Sequence, residues 1–456
     1  MFCVDNSFVH SIFFDEPVES KKKKFQIFYL TSSRHHPVEF KEKNNKIEKM
    51  GNSVSKKIVS IKLPVKEDIK VIIQYWTRIL NIKLGWIHEL DKLVANYVIT
   101  LFMFDTFRSS FKLLKTFTGH TDIIWSIDYS TFNGSQFICS GSADKTVRVW
   151  NVDANKQIQS FNGHLSYVYC VKFSHYYYRR YRNVICFSSF DKTIRFWDFK
   201  NNQQLQVFNE HTNYVAGIEF STFNGGRYLC SGSGDNTIRL WDVEIAKSLH
   251  IFNGHTSTVW CVDISPFQSN NTDNNKSNTI GVIGGNGYTI CSGSWDETIR
   301  IWDIEKAKQF IVFKGHKNGV WSVKYGSNEL LNTILSGSED KSVRLWDIRS
   351  GKQIQVFNGH TDQVFAVEYS PLVVKNIEVS GNSNVICSGS TDDTIRFWDI
   401  RSNKSQLYGI KENKKCNGIT GLKFISLTNK NTNDVSLCYG SVKGPIRVWG
   451  KTSFCK

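Results

Sequence analysis

A histidine, one or two serines, an aspartate and a tryptophan recur together along this chain. The first set is His120, Ser140 or Ser142, Asp144 and Trp150. Serine, histidine and aspartate are the residue types of a nucleophilic triad, in which a hydroxyl attacks, an imidazole takes its proton and a carboxylate orients the imidazole. The spacing argues against that chemistry. The set returns as His164, Asp191 and Trp197; His211, Asp235 and Trp241; His255, Asp296 and Trp302; His316, Asp340 and Trp346; and His360, Asp392 and Trp398. An active site occurs once, whereas a structural device occurs once per repeat. No P-loop, HExxH, kinase signature or single carboxylate pair stands out. No Cys/His cluster has zinc spacing. The chain therefore reads as a non-enzyme that needs neither cofactor nor metal.

The elements that carry these residues are strands. Most sets open with Gly-His (Gly119-His120, Gly163-His164, Gly254-His255, Gly315-His316, Gly359-His360), and Glu210-His211 is the variant. The steps from His to His are 44, 47, 44, 61 and 44 residues. A period in the forties is that of a β-propeller blade. Between Gly119 and Gly163, Ile124–Tyr129, Phe137–Ser140, Thr146–Trp150 and Gln157–Phe161 alternate with period two, and turn residues separate them. Seven triplets of such strands end in Trp150, Trp197, Trp241, Trp302, Trp346, Trp398 and Trp449. The expected fold is all-β: a seven-bladed propeller of four-stranded antiparallel blades over 111–450. Phe111–Phe117 resembles an outer strand with no triplet before it.

Outside the repeats the sequence changes character. Residues 1–65 are polar and without period and read as a disordered tail. Within them Met50-Gly51-Asn52-Ser53-Val54-Ser55 has the form of a myristoylation site, which needs translation to begin at Met50; membrane contact is expected only in that case. Over 66–110, Ile69, Ile72, Ile73, Trp76, Ile79 and Leu80 recur at helical spacing, and Leu90, Leu93, Val94 and Tyr97 share a second face. A short α-helical hairpin follows, either capping the propeller or binding a partner. The long fourth step contains an Asn/Ser/Gly-rich insertion over 268–287, read as a surface loop.

The formal net charge of +16 suggests polyanions. However, Arg148, Arg195, Arg239, Arg300, Arg344, Arg396 and Arg447 each stand two residues before a Trp and so are spread around the ring. Direct nucleic-acid binding is not expected from them. Cys139, Cys186, Cys230, Cys291 and Cys387 share one repeat position and read as small buried hydrophobes, which suits a reducing cytosol or nucleus.

The recurring Gly-His, followed by Ser-Gly-Ser-x-Asp-x-Thr-Ile-Arg-x-Trp-Asp with small changes, resembles the WD-repeat β-propeller family over about three quarters of the chain. The resemblance implies that His, Ser, Asp and Trp form a hydrogen-bonded chain inside each blade, and that Phe111–Phe117 completes the last blade and closes the ring with 419–449, which removes sheet edges that would invite aggregation. It implies a scaffold that binds proteins or peptides and takes no small-molecule substrate. It also singles out two positions per blade that face the rim of the central channel. The first holds Trp125, Tyr169, Ala216, Trp260, Trp321 and Phe365; the second holds Ala143, Phe190, Gly234, Trp295, Glu339 and Thr391. Seven of these twelve are aromatic, either as inter-blade core or as a binding face. A basic side chain in the central opening could meet the rings by cation–π contact, with Glu339, Asp122 and Asp362 beside them. Finally, Trp346-Asp347-Ile348-Arg349 and Trp398-Asp399-Ile400-Arg401 have the WDxR form. In this family that form often marks substrate receptors of cullin-RING ubiquitin ligases, with Arg349 and Arg401 meeting the adaptor.

Overall fold

The computed structural model describes residues 111–161, 166–265, 288–326, 330, 332–371, 385–400, 406–411, 417–429 and 432–451, together with the backbone of three N-terminal strands. The chain divides into two units, Met1–Asn96 and Tyr97–Lys456. In the first, His10–Asp15, Phe25–Thr31 and Glu39–Glu42 pair antiparallel in that order. The remainder of 1–65, with Gly51, the helical hairpin expected over 66–110, and the insertion at 268–287 lie outside the described residues.

The second unit is a ring of seven four-stranded antiparallel sheets. Strands within a blade are lettered a to d from the channel outwards. Blade 1 is Ile124–Phe132, Ser135–Ser142, Val147–Asn151 and Lys156–Phe161. Blades 2 to 6 follow over 168–208, 215–253, 259–314, 320–357 and 364–411. Blade 7 takes strands a to c from Ile419–Asn429, Thr432–Ser441 and Ile446–Lys451, and strand d from Phe111–Phe117. The first described strand of the ring is thus hydrogen-bonded to the last.

Strand b is buried on both faces, as in Val184–Ser189 and Tyr228–Ser233, and therefore reads as an uninterrupted run of small and apolar residues. The core lies between blades. Cys139, Val147 and Val149 of blade 1 pack with Val168, Val171 and Phe173 of blade 2 in one cluster. The five repeated cysteines are fully buried, with Cys438 of blade 7 at the same strand position. Burial drives their thiols well above the ordinary range, so they serve as packing groups.

Candidate functional site: an aromatic channel mouth

The repeated polar residues form one circuit per blade in blades 1, 3, 4, 5 and 6. The imidazole Nδ1 of His120, His211, His255, His316 and His360 lies 2.7–2.9 Å from the carboxylate of Asp144, Asp235, Asp296, Asp340 and Asp392. Nε2 lies 2.7–2.8 Å from Ser140, Ser231, Ser292, Ser336 and Ser388. The same hydroxyls accept the indole N–H of Trp150, Trp241, Trp302, Trp346 and Trp398 at 2.8–3.0 Å. Every donor is satisfied when the imidazole is neutral: Trp donates to Ser, Ser to His, and His to Asp. The geometry is that of a triad, but each of these serines is fully buried. A hydroxyl closed to solvent and already engaged on both sides cannot reach a substrate.

This circuit makes the fold acid-sensitive. Burial lowers His120, His255 and His316 below their ordinary value of 6.5, outweighing the pull of the paired aspartates. A folded pKa below the unfolded one favours the neutral ring, so this stabilisation is complete above pH 6.5 and drains away as pH falls below it. The urea midpoint should therefore drop between about pH 7.5 and 5.5, well before the carboxylates titrate. A constant midpoint across that interval would contradict the circuit as drawn.

The departures from the repeat have local reasons. In blade 2, Phe187 occupies the serine position, so Trp197 donates to Asn202 instead, at 3.2 Å, and Asp191 is bonded by Thr193 and Arg195. Trp197 and Asp191 are thus not brought together, a correction to the expected circuit; His164 lies outside the described residues. In blade 7 the Tyr439 hydroxyl takes the indole N–H of Trp449. The arginine before each tryptophan is also structural. Arg148 donates to Gln157 of strand d, and it lies so close over Gly119 that a Cβ there would sit 2.6 Å from its Nη1. Arg300, Arg344 and Arg396 repeat the contact with Gln309, Gln353 and Gln406. In blade 3 strand d offers Ser248 in place of glutamine, and Arg239 pairs with Glu210, which replaces the glycine.

The binding positions converge at one end of the channel. A β-bulge at the second residue of strand a leaves Trp125, Tyr169, Trp260, Trp321 and Phe365 out of the ladder. Such a bulge re-aims a side chain, here onto the channel mouth. Trp321 lies 4.5 Å from Trp260 and 4.4 Å from Phe365; Trp125 of blade 1 lies 6.0 Å from both Trp260 of blade 4 and Phe365 of blade 6. The rings therefore crowd the mouth and line the upper wall of a cavity that continues down the channel. From the second position, Trp295 stacks on Trp260 at 5.5 Å and 6° and remains 42% exposed; Phe190 remains 46% exposed. Glu339 is half-buried and accepts from Gln363.

Two features of this mouth escaped the reading from sequence. Tyr214 lies over Gly234, stacks on Phe190 at 5.3 Å and 7°, and bonds Thr258 through its hydroxyl, so blade 3 contributes a ring despite Ala216. Reciprocally, Gly319 leaves room for Trp295, whose ring a Cβ there would meet at 2.6 Å. Below the rings, the fifth residue of every strand a is charged: Asp128, Lys172, Glu219, Asp263, Lys324, Glu368 and Lys423. Lys172, Glu219, Lys324, Glu368 and Lys423 line a cavity of about 140 Å³ with the rings, and Asp128 and Asp263 are buried beside it. Glu219 bridges Lys172 and Lys324, Lys324 also reaches Asp263, and Lys423 faces Asp128. Burial opposes ionisation of Glu219, but Lys172, Lys324 and Lys423 together hold its carboxyl well below the usual range. Blades 2, 3, 4 and 5 are thereby linked by ion pairs across the channel wall. The signal was a charge at the fifth residue of each strand a.

Comparison with known proteins agrees with the geometry. Six segments match the model of the family described as WD domain, G-beta repeat: residues 111–151, 155–198, 202–242, 246–303, 307–347 and 351–399. The chain belongs to the WD-repeat family. Each matched WD repeat begins with strand d of one blade and ends with strand c of the next, so the sequence unit straddles two structural blades. Among curated relatives, the peroxisomal targeting signal 2 receptor of Mus musculus is 38% identical over 56 residues, 12% of this chain and 18% of that protein. WD repeat and SOCS box-containing protein 1 of Danio rerio is 39% identical over 64 residues, 14% of this chain and 15% of that protein. The alignments thus span under a fifth of either relative. Of the two WDxR arginines, Arg349 is exposed, with its backbone N–H bonded to Asp347, and Arg401 lies outside the described residues. Among the described residues no group of His, Cys, Asp or Glu could hold a metal ion, and no helix is long and apolar enough to cross a membrane.

Proposed function

We propose that this WD-repeat protein is a non-catalytic scaffold that holds a protein or peptide partner on the aromatic mouth of its channel. The observation that carries the reading is the continuous set of rings from Trp125 to Phe365, flanked by partly exposed Tyr167, Phe190 and Trp295. Large rings already ordered by packing lose little entropy on binding and are the common anchors of protein interfaces. Glu339, Asp122 and Asp362 stand beside them and suit a partner with basic side chains. A cytoplasmic or nuclear setting fits the buried thiols.

The test is affinity capture with the full chain against the Phe190→Ala/Trp295→Ala variant. Both rings are near half exposed, so the variant should melt like the parent while losing its partners, with affinity falling about 30-fold or more. An unchanged set of partners would exclude this face. A second reading, a substrate receptor of a cullin-RING ubiquitin ligase, rests on exposed Arg349 and on the partial likeness to a protein whose name includes a SOCS box. An adaptor captured by the aromatic variant but lost from Arg349→Ala would favour it.

A further inference from the structure

Blade 2 differs from its neighbours where strands a and b connect, at the end of the strands opposite the aromatic mouth. After Val168–Phe173 the chain makes one helical turn, His175–Tyr178, and returns through Arg179, Arg180, Tyr181 and Arg182 to Val184–Ser189. Four tyrosines and three arginines thus fall within eight residues.

Half of this segment anchors the other half. Tyr176 and Tyr177 are buried, and Tyr177 packs on Phe196. Arg180 lies over the Tyr176 ring at 4.2 Å and pairs with Glu244 of blade 3 at 2.9 Å. Glu244 is also paired with Arg227, so its charge is answered twice. Of the rest, the Tyr178 ring stands edge-on to buried Phe132 at 4.9 Å and Arg179 lies over Gly225 of blade 3, each with its outer side in water. Tyr178, Arg179 and Arg182 are exposed, and Tyr181 is 99% exposed with φ at +60°. That backbone region is disfavoured for a bulky L-residue. A large ring held there wholly in solvent does nothing for the fold, and such an outlier points to use elsewhere.

We propose that this tip binds single-stranded nucleic acid. A base stacks on Tyr181, Tyr178 lies three residues away to extend the platform, and Arg179 and Arg182 contact phosphates. Stacking on an exposed ring flanked by cations is how single strands are held without sequence preference. A protein hot spot instead sits in a packed pocket within an apolar surround; this ring stands clear on both faces. The arginines that argued against nucleic acid are a different set, one per blade, with those of blades 1, 2, 4, 5 and 6 bonded to a strand d glutamine.

The experiment is fluorescence anisotropy of the full chain with a fluorescein-labelled oligouridine of about 12 nucleotides, titrated across salt. Tyr181→Ala should weaken binding about 10-fold while Tyr181→Phe retains it, because the ring face and not the hydroxyl is used. Arg179→Ser/Arg182→Ser should reduce the slope of log affinity against log salt by about 1–2. Tyr181 is 99% exposed, so Tyr181→Ala should leave the melting temperature unmoved, and melting of the arginine variant is followed beside its binding because Arg179 lies over Gly225. Lys21–Lys24 can add background, so the variant differences are the readout. The proposal fails if oligouridine does not bind at low salt, or if Tyr181→Ala binds like the parent. It fails equally if phosphatidylserine vesicles, rather than oligouridine, respond to these variants.

Discussion

Deleting residues 111–117 should unfold the whole propeller rather than trim it. The strand is the outer edge of blade 7, and its register with Ile446–Lys451 runs from Phe117 opposite Ile446 to Phe111 opposite Lys451. Phe117 is 3% exposed and packs with Trp150 of blade 1; Phe111 is 6% exposed and packs with Trp449. Losing two buried phenylalanines costs about 3–5 kcal/mol each by analogy with truncation to alanine, before the ladder hydrogen bonds are counted. Total stability is typically about 5–15 kcal/mol. The deletion also bares strand c of blade 7, an edge open to pairing with another chain. A chain lacking 111–117 should therefore show no cooperative melt at the parental temperature and should aggregate at concentrations where the parent does not. A melt within a few degrees of the parent would mean that the ring does not depend on this closure.

Ser336→Ala should cost much of the stability for the removal of one oxygen. That hydroxyl gives its hydrogen to His316 and accepts the indole N–H of Trp346, in a site with no solvent access. Without it two buried polar groups lose their partner, at about 1–3 kcal/mol each. His316 then keeps partners only at Nδ1, Asp340 and the longer contact with Ser342, and the turn that Asp340 fixes through Ser342 and the Lys317 N–H is loosened with it. Calorimetry of the variant should show a melting temperature lower by roughly 5–15 °C. Blade 2 shows what the fold needs when the serine is absent: a ring, Phe187, fills the space and Asn202 receives Trp197. Alanine supplies neither. A melting temperature unchanged within about a degree would show that the circuit contributes nothing.

The repeat was legible because its residues recur at fixed spacing, and each has one role in blades 1, 3, 4, 5 and 6. That is why seven blades with strands ending at Trp150 to Trp449 could be counted. The consequences of the departures were not legible. Phe187 is visible in the sequence, but that Trp197 turns to Asn202 depends on the tight c–d turn bringing that amide within 3.2 Å. Tyr214 was missed because it precedes strand a and reads as a loop residue; only the space over Gly234 lets it join the rings. The channel charges were missed for a different reason. Singly, Asp128 or Lys172 is an ordinary polar residue of an alternating strand. Seven-fold arrangement around an axis turns these residues into a ring whose ion pairs bridge blades. The family rests on the six matched repeats, and the likeness to short stretches of two relatives gives this chain no partner.

Photo-crosslinking distinguishes docking on the aromatic mouth from docking on the outer rim. Benzoylphenylalanine is introduced in place of Trp295 at the mouth and, separately, in place of Ile354 on the outer strand of blade 5, which is 52% exposed. Both chains are irradiated in extract and the products are resolved by mass. Discrete crosslinked species should arise from position 295 and be absent from position 354. Crosslinks at 354 with none at 295 would place the partner on the outer rim and contradict docking on the mouth.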